Sequence, residues 1–448
     1  MKLFETILDF FNTYIFGPAL PFVIFAIGSF LLFKYGGFLF TRQKKIVKVL
    51  TSQNTEEGMS PFKTAMLALA STLGVGNIVG VSTAIYSGGA GAVFWLTLSA
   101  FVAMPLKYGE VVLAMKYRVK DGEECRGGAM YYMRDCLKMP RLAVVFAVLC
   151  IANSLTVGNI VQINAVTESF RNVFSVNPLL LGIIISVVVF FSISRGTKRV
   201  SDITATLIPF ITVIYILLSL FIIITNADKL YEIVKLIFKE AFNFKAMAGG
   251  VGGYTISRAM RYGVARGIMS NEAGSGTSPI AHAKSNLKSP VEQGFWGIFE
   301  VFADTVIMCN LTAFVILLSF DEFVIGKSIS GMDLVIASYE KYIGDIAGVI
   351  IAVSVLLFAY ATVICQGFYG AECVYYLTKK EKHLILYRYL FCLCVVYGSV
   401  AGSNIIWGLT DFNISLMTVI NTLCIFVVSG EIKEITDGYF KKNKNPPA

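Results

Sequence analysis

Nearly unbroken runs of apolar residues recur along the whole chain, as at Leu20 to Phe33, Ala143 to Leu155, Leu179 to Phe191 and Leu207 to Ile224. Runs of this kind form the cores of segments long enough to cross a bilayer. In hydrocarbon the backbone must bond to itself, so such segments fold as helices. With 56% of the 448 residues hydrophobic and 15% charged, the chain is neither disordered nor an ordinary cytosolic enzyme. The nine cysteines contain no C-x-x-C, and Cys150, Cys309 and Cys424 lie inside apolar runs. They read as small buried hydrophobes, not as disulfide or metal partners.

Eleven spans are expected, roughly at 15–33, 62–87, 91–117, 142–168, 177–194, 203–225, 254–283, 291–319, 345–377, 385–403 and 407–430. With the N-terminus outside, the inward segments carry 26 of the 38 Lys and Arg residues and the outward ones about eight. The positive-inside rule therefore predicts an outside N-terminus and a cytoplasmic C-terminus. It also assigns the net charge of +9 to cytoplasmic loops, not to nucleic acid. The first run lacks the basic flank and cleavage site of a signal peptide and reads as a retained helix. Segment 226–253 carries Leu230, Ile233, Leu236 and Ile237 at helical spacing among Lys229, Glu232, Lys235 and Lys239, the pattern of an amphipathic helix on the outer surface. No linker separates soluble domains, so residues 1–448 are expected to form one membrane domain ending in a short cytoplasmic tail, 431–448.

Two spans cannot be plain lipid-facing helices. The second contains Ala70-Ser-Thr-Leu-Gly-Val-Gly-Asn-Ile-Val-Gly80, and the seventh contains Ile268-Met-Ser-Asn-Glu-Ala-Gly-Ser-Gly-Thr-Ser-Pro279. Paired Gly-interrupted spans at corresponding positions are the mark of a transporter site. With the first span set aside, each break opens a five-helix unit, 62–225 and 254–430. Five is odd, so the second unit is inserted upside down. The predicted fold is an all-α polytopic membrane protein, a five-plus-five inverted repeat with two broken helices and an extra N-terminal helix at 15–33.

A broken helix leaves free N–H groups where its second half starts and free carbonyls where its first half ends. A zwitterion fits that pair of ends. Its carboxylate would meet N–H groups near Val75, Gly76 and Asn77, and its ammonium the carbonyls from Met269 to Ala273. A sodium ion takes hard oxygen ligands, for which the carbonyls of Ala70 and Leu73 and the hydroxyl of Thr362 are candidates. The competing reading, glycines that only let helices pack closely, suits Gly76 and Gly80. It does not account for Asn271 and Glu272 inside the second break.

Gly-Val-Gly-Asn-Ile-Val-Gly (74–80), Gly-Gly-Ala-Gly-Ala-Val-Phe-Trp (88–95) and Gly-Val-Ala-Arg-Gly-Ile-Met-Ser-Asn-Glu-Ala-Gly-Ser-Gly (263–276) follow in that order. With Lys107 to Arg118, Gly158 to Asn164 and Tyr369-Gly-Ala-Glu372, they make residues 60–430 resemble the alanine or glycine:cation symporter family. The resemblance implies import of a small neutral amino acid, alanine or glycine, coupled to sodium or occasionally to protons. It also implies the fold of neurotransmitter:sodium symporters and a prokaryotic plasma membrane. Substrate would sit among Gly74, Val75, Gly76, Asn77, Met269, Asn271, Ala273 and Gly274, with Gln162 and Thr362 completing the pocket. No cofactor beyond the co-transported ion and no obligate protein partner are expected. The chain departs from relatives at Val75, where threonine is usual, and at Ala90 and Ala129, where proline is. It departs again at Ala361-Thr362-Val-Ile-Cys-Gln366, where a Ser-Thr pair and a Gly-Trp are usual.

Charged residues inside spans need partners or water. Glu272 is expected either to pin the unwound backbone by accepting N–H bonds or to take part in ion coupling. Glu300 and Asp304 are expected to pair with Arg258, Arg261 or Arg266, with Asp304 a gating candidate. Lys107 and Glu110 are three apart and are expected to pair with each other. His282 reads as a helix-end residue, and neither histidine has a metal-binding companion. H-E-x-x-H, G-x-S-x-G and the G-x-x-x-x-G-K-[ST] phosphate loop are all missing from the sequence, which argues against a membrane enzyme and a nucleotide-driven pump. A channel is the remaining rival, against which the inverted repeat favours alternating access.

Overall fold

The computed structural model describes residues 10–52, 58–122, 124–242, 251–326, 329, 331–401 and 403–442. The N-terminal helix α1 (Gly17–Lys34) precedes two helical units and packs against them through Phe25 on Trp95 and Gly28 on Val102. The first unit opens with α2 (Pro61–Thr72) and α3 (Val79–Gly88), the halves of one span bent by 61°. It continues through α4 (Gly91–Lys116), α5 (Pro140–Leu155), α6 (Val161–Phe174), α7 (Pro178–Ser194) and α8 (Gly196–Thr225). After the amphipathic helix α9 (Leu230–Ala241), the second unit opens with α10 (Val251–Asn271) and the short α11 (Pro279–His282), again the halves of one broken span. It continues through α12 (Pro290–Val301), α13 (Asn310–Leu317), α14 (Gly331–Ile343), α15 (Ile346–Thr378), α16 (Glu381–Val400) and α17 (Ser403–Val427). The chain's last described helix is α18 (Ser429–Lys442).

Local chemistry sets several starts. Ser60, Asn177 and Ser289 accept backbone N–H groups at the heads of α2, α7 and α12, each with a proline in the first turn. Exposure sorts the helices into a wall and a centre. Leu180, Ile183, Ile184, Val187 and Phe191 of α7, and Phe210, Val213, Leu217, Phe221 and Ile224 of α8, form exposed apolar stripes at helical spacing, as lipid-facing helices do. Helix α4 is buried on nearly every side and runs through the middle, against α10 and α12.

By length and apolarity, eight helices among the described residues qualify as spans, and the bent α2/α3 pair makes nine. The other two expected spans are also helical. Helix α7 has 17 residues, one turn short of a full apolar crossing, and α10 is interrupted by polar side chains. The amphipathic segment is helical over Leu230–Ala241, with Ile233 and Ile237 buried and Phe238 against Phe94 of α4. Residues 243–250 lie outside the described residues. Helix α14 was not expected, nor was the hairpin of β1 (Val119–Asp121) and β2 (Glu124–Arg126). The expected polar tail is largely helix α18, with Thr436 bonded to the Tyr108 hydroxyl. All nine cysteines are free thiols.

Candidate functional site

At the first break, Gly74 has left the helix (φ −132°, ψ −150°), and one tight turn, Val75–Asn77, leads into α3. The amide of Gly74, which in an unbroken helix would close on the Ala70 carbonyl, instead meets the carbonyl of Thr72 and Asn77 Oδ1 at 3.1 Å. The Val75 amide donates to Gln162 Oε1 at 3.1 Å. A side chain at position 74 would crowd this site, since its Cβ would come 2.7 Å from Thr362 Oγ1 and 2.9 Å from Gln162 Oε1. Gly74, Val75, Gln162 and Thr362 are thus brought together, with Ala70 and Leu73 buried in the last turn of α2 beside them.

The second break turns sharply because three residues adopt left-handed conformations: Glu272 (φ +50°), Gly274 (φ +84°) and Gly276 (φ +79°). Two are glycines, for which this costs little. Glu272 carries a strain of order 1–3 kcal/mol. Its Oε2 accepts from the Thr277 hydroxyl at 2.6 Å, across the turn, and its Oε1 from Gln366 Nε2 at 2.9 Å. Glu272 therefore pins the unwound segment through a hydroxyl and an amide, whereas backbone N–H groups were expected.

The two breaks meet at Asp304. This carboxylate lies in a widened, π-helical turn, Phe302–Cys309, between α12 and α13, a local geometry that recurs at functional sites. Asp304 Oδ1 accepts from Asn77 Nδ2 at 2.7 Å. Asp304 Oδ2 accepts from Ser270 Oγ at 2.9 Å and Thr305 Oγ1 at 2.7 Å. Asn271 Nδ2 donates in turn to Thr305 Oγ1 at 3.0 Å, and Asn271 Oδ1 holds the Ala273 amide at 2.9 Å. One chain of hydrogen bonds thus joins Asn77 of the first break to Asn271 of the second, and every member is buried. Gly76 lies against Ser270 on the same side. Ser270 and Thr305 were missed from sequence, where nothing but their adjacency to Asn271 and Asp304 marks them.

Met269 and Gly274 fall outside this centre. Met269 is half-buried and lines a cavity of about 100 Å³ with Arg266, Asp411, Ile414 and Thr418. Gly274 packs against Thr418 and Thr422, and its carbonyl accepts from Asn421 Nδ2 at 2.9 Å. The unwound backbone turns Gly274 toward α17, and Met269 faces the same helix from the last turn of α10.

The buried charges also pair differently from expectation. Lys107 does not pair with Glu110; its Nζ lies 2.7 Å from Ser278 Oγ and 3.3 Å from Glu300 Oε1. Glu110 Oε1 accepts the Gly276 amide at 2.9 Å and Asn421 Nδ2 at 2.5 Å. Glu300 meets Lys107 and His282 Nε2 (3.0 Å), not an arginine, and Asp304 is held by neutral donors. Arg266 reaches Asp411 at 3.5 Å, and Arg258 donates to the Ser87 carbonyl. The second half of this broken helix is short, and these bonds to Ser278 and His282 fix it to α4 and α12. His282 does end α11, fully buried.

At one end of the bundle Arg126 Nη1 grips both carboxylate oxygens of Glu372 at 2.8 Å, and Lys284 Nζ bridges Glu372 (2.9 Å) and Glu124 (2.8 Å). Burial pushes the Glu124 carboxyl up, but Lys284 and Arg126 outweigh it and hold the group below its ordinary range.

Two broken helices joined through a buried polar centre, within a membrane fold that is helical apart from the β1–β2 hairpin, define a carrier of the five-plus-five class. The chain matches the sodium:alanine symporter family over residues 1–447 and belongs to it. It is 33% identical to the amino-acid carrier protein AlsT of Bacillus subtilis, over 97% of this chain and 94% of that one. It is also 33% identical to the sodium/alanine symporter AgcS of Methanococcus maripaludis, over 99% and 98%. Among solved structures, that of MhsT in complex with L-phenylalanine superposes with a TM-score of 0.59 at 13% identity, covering 84% of this chain and 90% of that one. A manganese transporter of Eremococcus coleocola superposes at 0.53, with 12% identity and coverage of 81% and 76%. These two likenesses concern the fold alone.

Proposed function

We propose that this symporter imports a small neutral amino acid, alanine or glycine, together with sodium, by alternating access around the paired breaks. The observation that carries the reading is the chain from Asn77 through Asp304 and Thr305 to Asn271, which ties both breaks to one buried point. The substrate carboxylate is assigned to the backbone of Val75, Gly76 and Asn77, whose amides lie at the start of a half-helix where anions are favoured. The ammonium is assigned to the carbonyls that precede Ala273. Gln162 covers the first of these ends and exchanges its bond to the Val75 amide for substrate. Sodium is assigned to the carbonyls of Ala70 and Leu73 and the Thr362 hydroxyl, hard oxygens beside Gly74.

We place the N-terminus outside and α18 in the cytoplasm of a prokaryotic cell. In support, the basic segments meet at one end, where Lys45 lies over Tyr439, Lys116 pairs with Glu431 and Lys284 with Glu124. The Arg126–Glu372–Lys284 cluster then closes the cytoplasmic side. Coupling to protons is a second reading, favoured by the burial of Glu272 and Asp304 among neutral donors, which a proton would neutralise.

Binding of labelled alanine to purified protein, in sodium and in choline, tests the assignment. Sodium is expected to raise the apparent affinity. Thr362→Ala is expected to raise the sodium concentration for half-maximal binding about tenfold, the loss of one cation ligand, with little change in yield. An unchanged sodium dependence removes Thr362 from the ion site.

A further inference from the structure

Two buried amides beside the second break have hydrogen-bonding atoms that no described residue satisfies. Gln366, 1% exposed, uses its Nε2 on Glu272 but leaves Oε1 without a donor. Asn153, also 1% exposed, leaves both Oδ1 and Nδ2 without a partner. Buried polar groups are as a rule hydrogen-bonded, so these atoms are open to a bound molecule.

Their position says which one. Gln366 lies one helical turn from Thr362 on α15, and Gly158 lies one turn from Gln162, in the turn that joins α5 to α6. A Cβ at position 158 would collide with the Gln366 side chain, so glycine there is what lets the amide lie flat between α15 and α5. Asn153 lies two turns from Phe146 on the same face of α5, and the Phe146 ring packs against Gly276 of the second break. Gln366 therefore borders the segment Glu272–Gly276 through its bond to Glu272, and Asn153 lies on the face of α5 that Phe146 turns toward Gly276, two turns further along the helix.

We infer that Gln366 and Asn153 form a side-chain subsite that selects a neutral amino acid whose side chain donates a hydrogen bond, a hydroxyl or a carboxamide. Gln366 Oε1 accepts that bond, and Asn153 offers one further acceptor and a donor for the side-chain oxygen. The inference rests on the amino-acid reading above and narrows it: alanine fits the backbone contacts, and a polar side chain also satisfies the two amides. A site built to bond a hydroxyl or N–H rejects the apolar isostere far more strongly than a greasy pocket rejects an added methyl.

The test is competition against labelled L-alanine in proteoliposomes by L-serine and by L-2-aminobutyrate, which matches serine in size and lacks the hydroxyl, with L-asparagine and L-leucine as a second pair. Serine is expected to inhibit at a concentration about tenfold or more below that of 2-aminobutyrate, the effect of one buried hydrogen bond. In Gln366→Met and in Asn153→Leu the ratio is expected to fall toward one. The parent's ratio alone decides if a variant fails to fold, and thermal shift of the purified parent by the same pairs reads it without transport. Equal inhibition by the two isosteres, with alanine uptake intact, overturns the subsite and leaves the transport reading standing. A ratio unchanged in both variants overturns the assignment to these amides. Failure of the parent to take up or bind L-alanine or any of the four competitors removes the amino-acid reading, and the subsite with it.

Discussion

Replacing Asn77 with alanine is expected to lower uptake about a hundredfold while leaving a protein that folds and extracts normally. The side chain makes two separate contributions. Its Oδ1 receives the amide of Gly74 and so fixes the backbone conformation on which the substrate carboxylate is proposed to rest. Its Nδ2 donates to the Asp304 carboxylate and so links the first break to the second. A hydrogen bond to a charged group is worth roughly 1.5–3 kcal/mol, and losing both bonds at a site that must be preorganised reaches about two orders of magnitude in rate. Labelled-alanine uptake into proteoliposomes, normalised to inserted protein, checks it. Uptake at the parental rate would move the site away from the breaks. Asn271→Ala is expected to fail in the same way, because Asn271 holds the Ala273 amide and reaches the same carboxylate through Thr305.

The largest loss of stability is expected from Lys107→Met. Lys107 and Glu300 are both fully buried, and removing one member of a buried ion pair leaves the other charge stranded, at a cost of about 3–5 kcal/mol. The substitution also releases Ser278, and with it the short second half of the second broken helix. Thermal unfolding in detergent should show a large fall for Lys107→Met and recovery of most of it in Lys107→Met with Glu300→Met, since an apolar pair of similar volume strands no charge. A double variant no more stable than the single one would mean that Ser278 and His282, not the ion pair, account for the loss.

The errors in the expected pairings have one physical origin. Spacing of three along a helix places Lys107 and Glu110 on one face, and that much of the reading is sound. The face is buried against the second break, however, whose open Gly276 amide and Ser278 hydroxyl offer partners across the fold. Such partners lie more than 160 residues away in sequence, and no local period reveals them. The breaks themselves were legible because glycines and polar side chains cannot sit in the middle of a lipid-facing helix. Gln162 beside Gly74 and Val75 followed from the family resemblance, and Thr362 from the need for a hydroxyl ligand beside the first break. The direction in which an unwound segment turns was not legible: the left-handed residues at 272, 274 and 276 aim Gly274 at α17, while Met269, still in the last turn of α10, lines a separate cavity. Asp304 stood out as a charge in an apolar run, but its partners depended on a π-helical turn that sequence does not announce. Helix α14 and the β1–β2 hairpin went unread because each is short and half polar, and each is ordered by packing on the bundle.

Coupled uptake into sealed proteoliposomes tests the central claim most directly. Labelled L-alanine, L-serine and glycine would each be offered under an inward sodium gradient, under an inward proton gradient, and with neither. Saturable accumulation above equilibrium that requires the sodium gradient, and that is lost in Asn77→Ala, is the predicted result. Accumulation driven by protons alone would contradict sodium coupling and shift the coupling site to Glu272 and Asp304. No accumulation of any of the three under either gradient would contradict the substrate assignment itself.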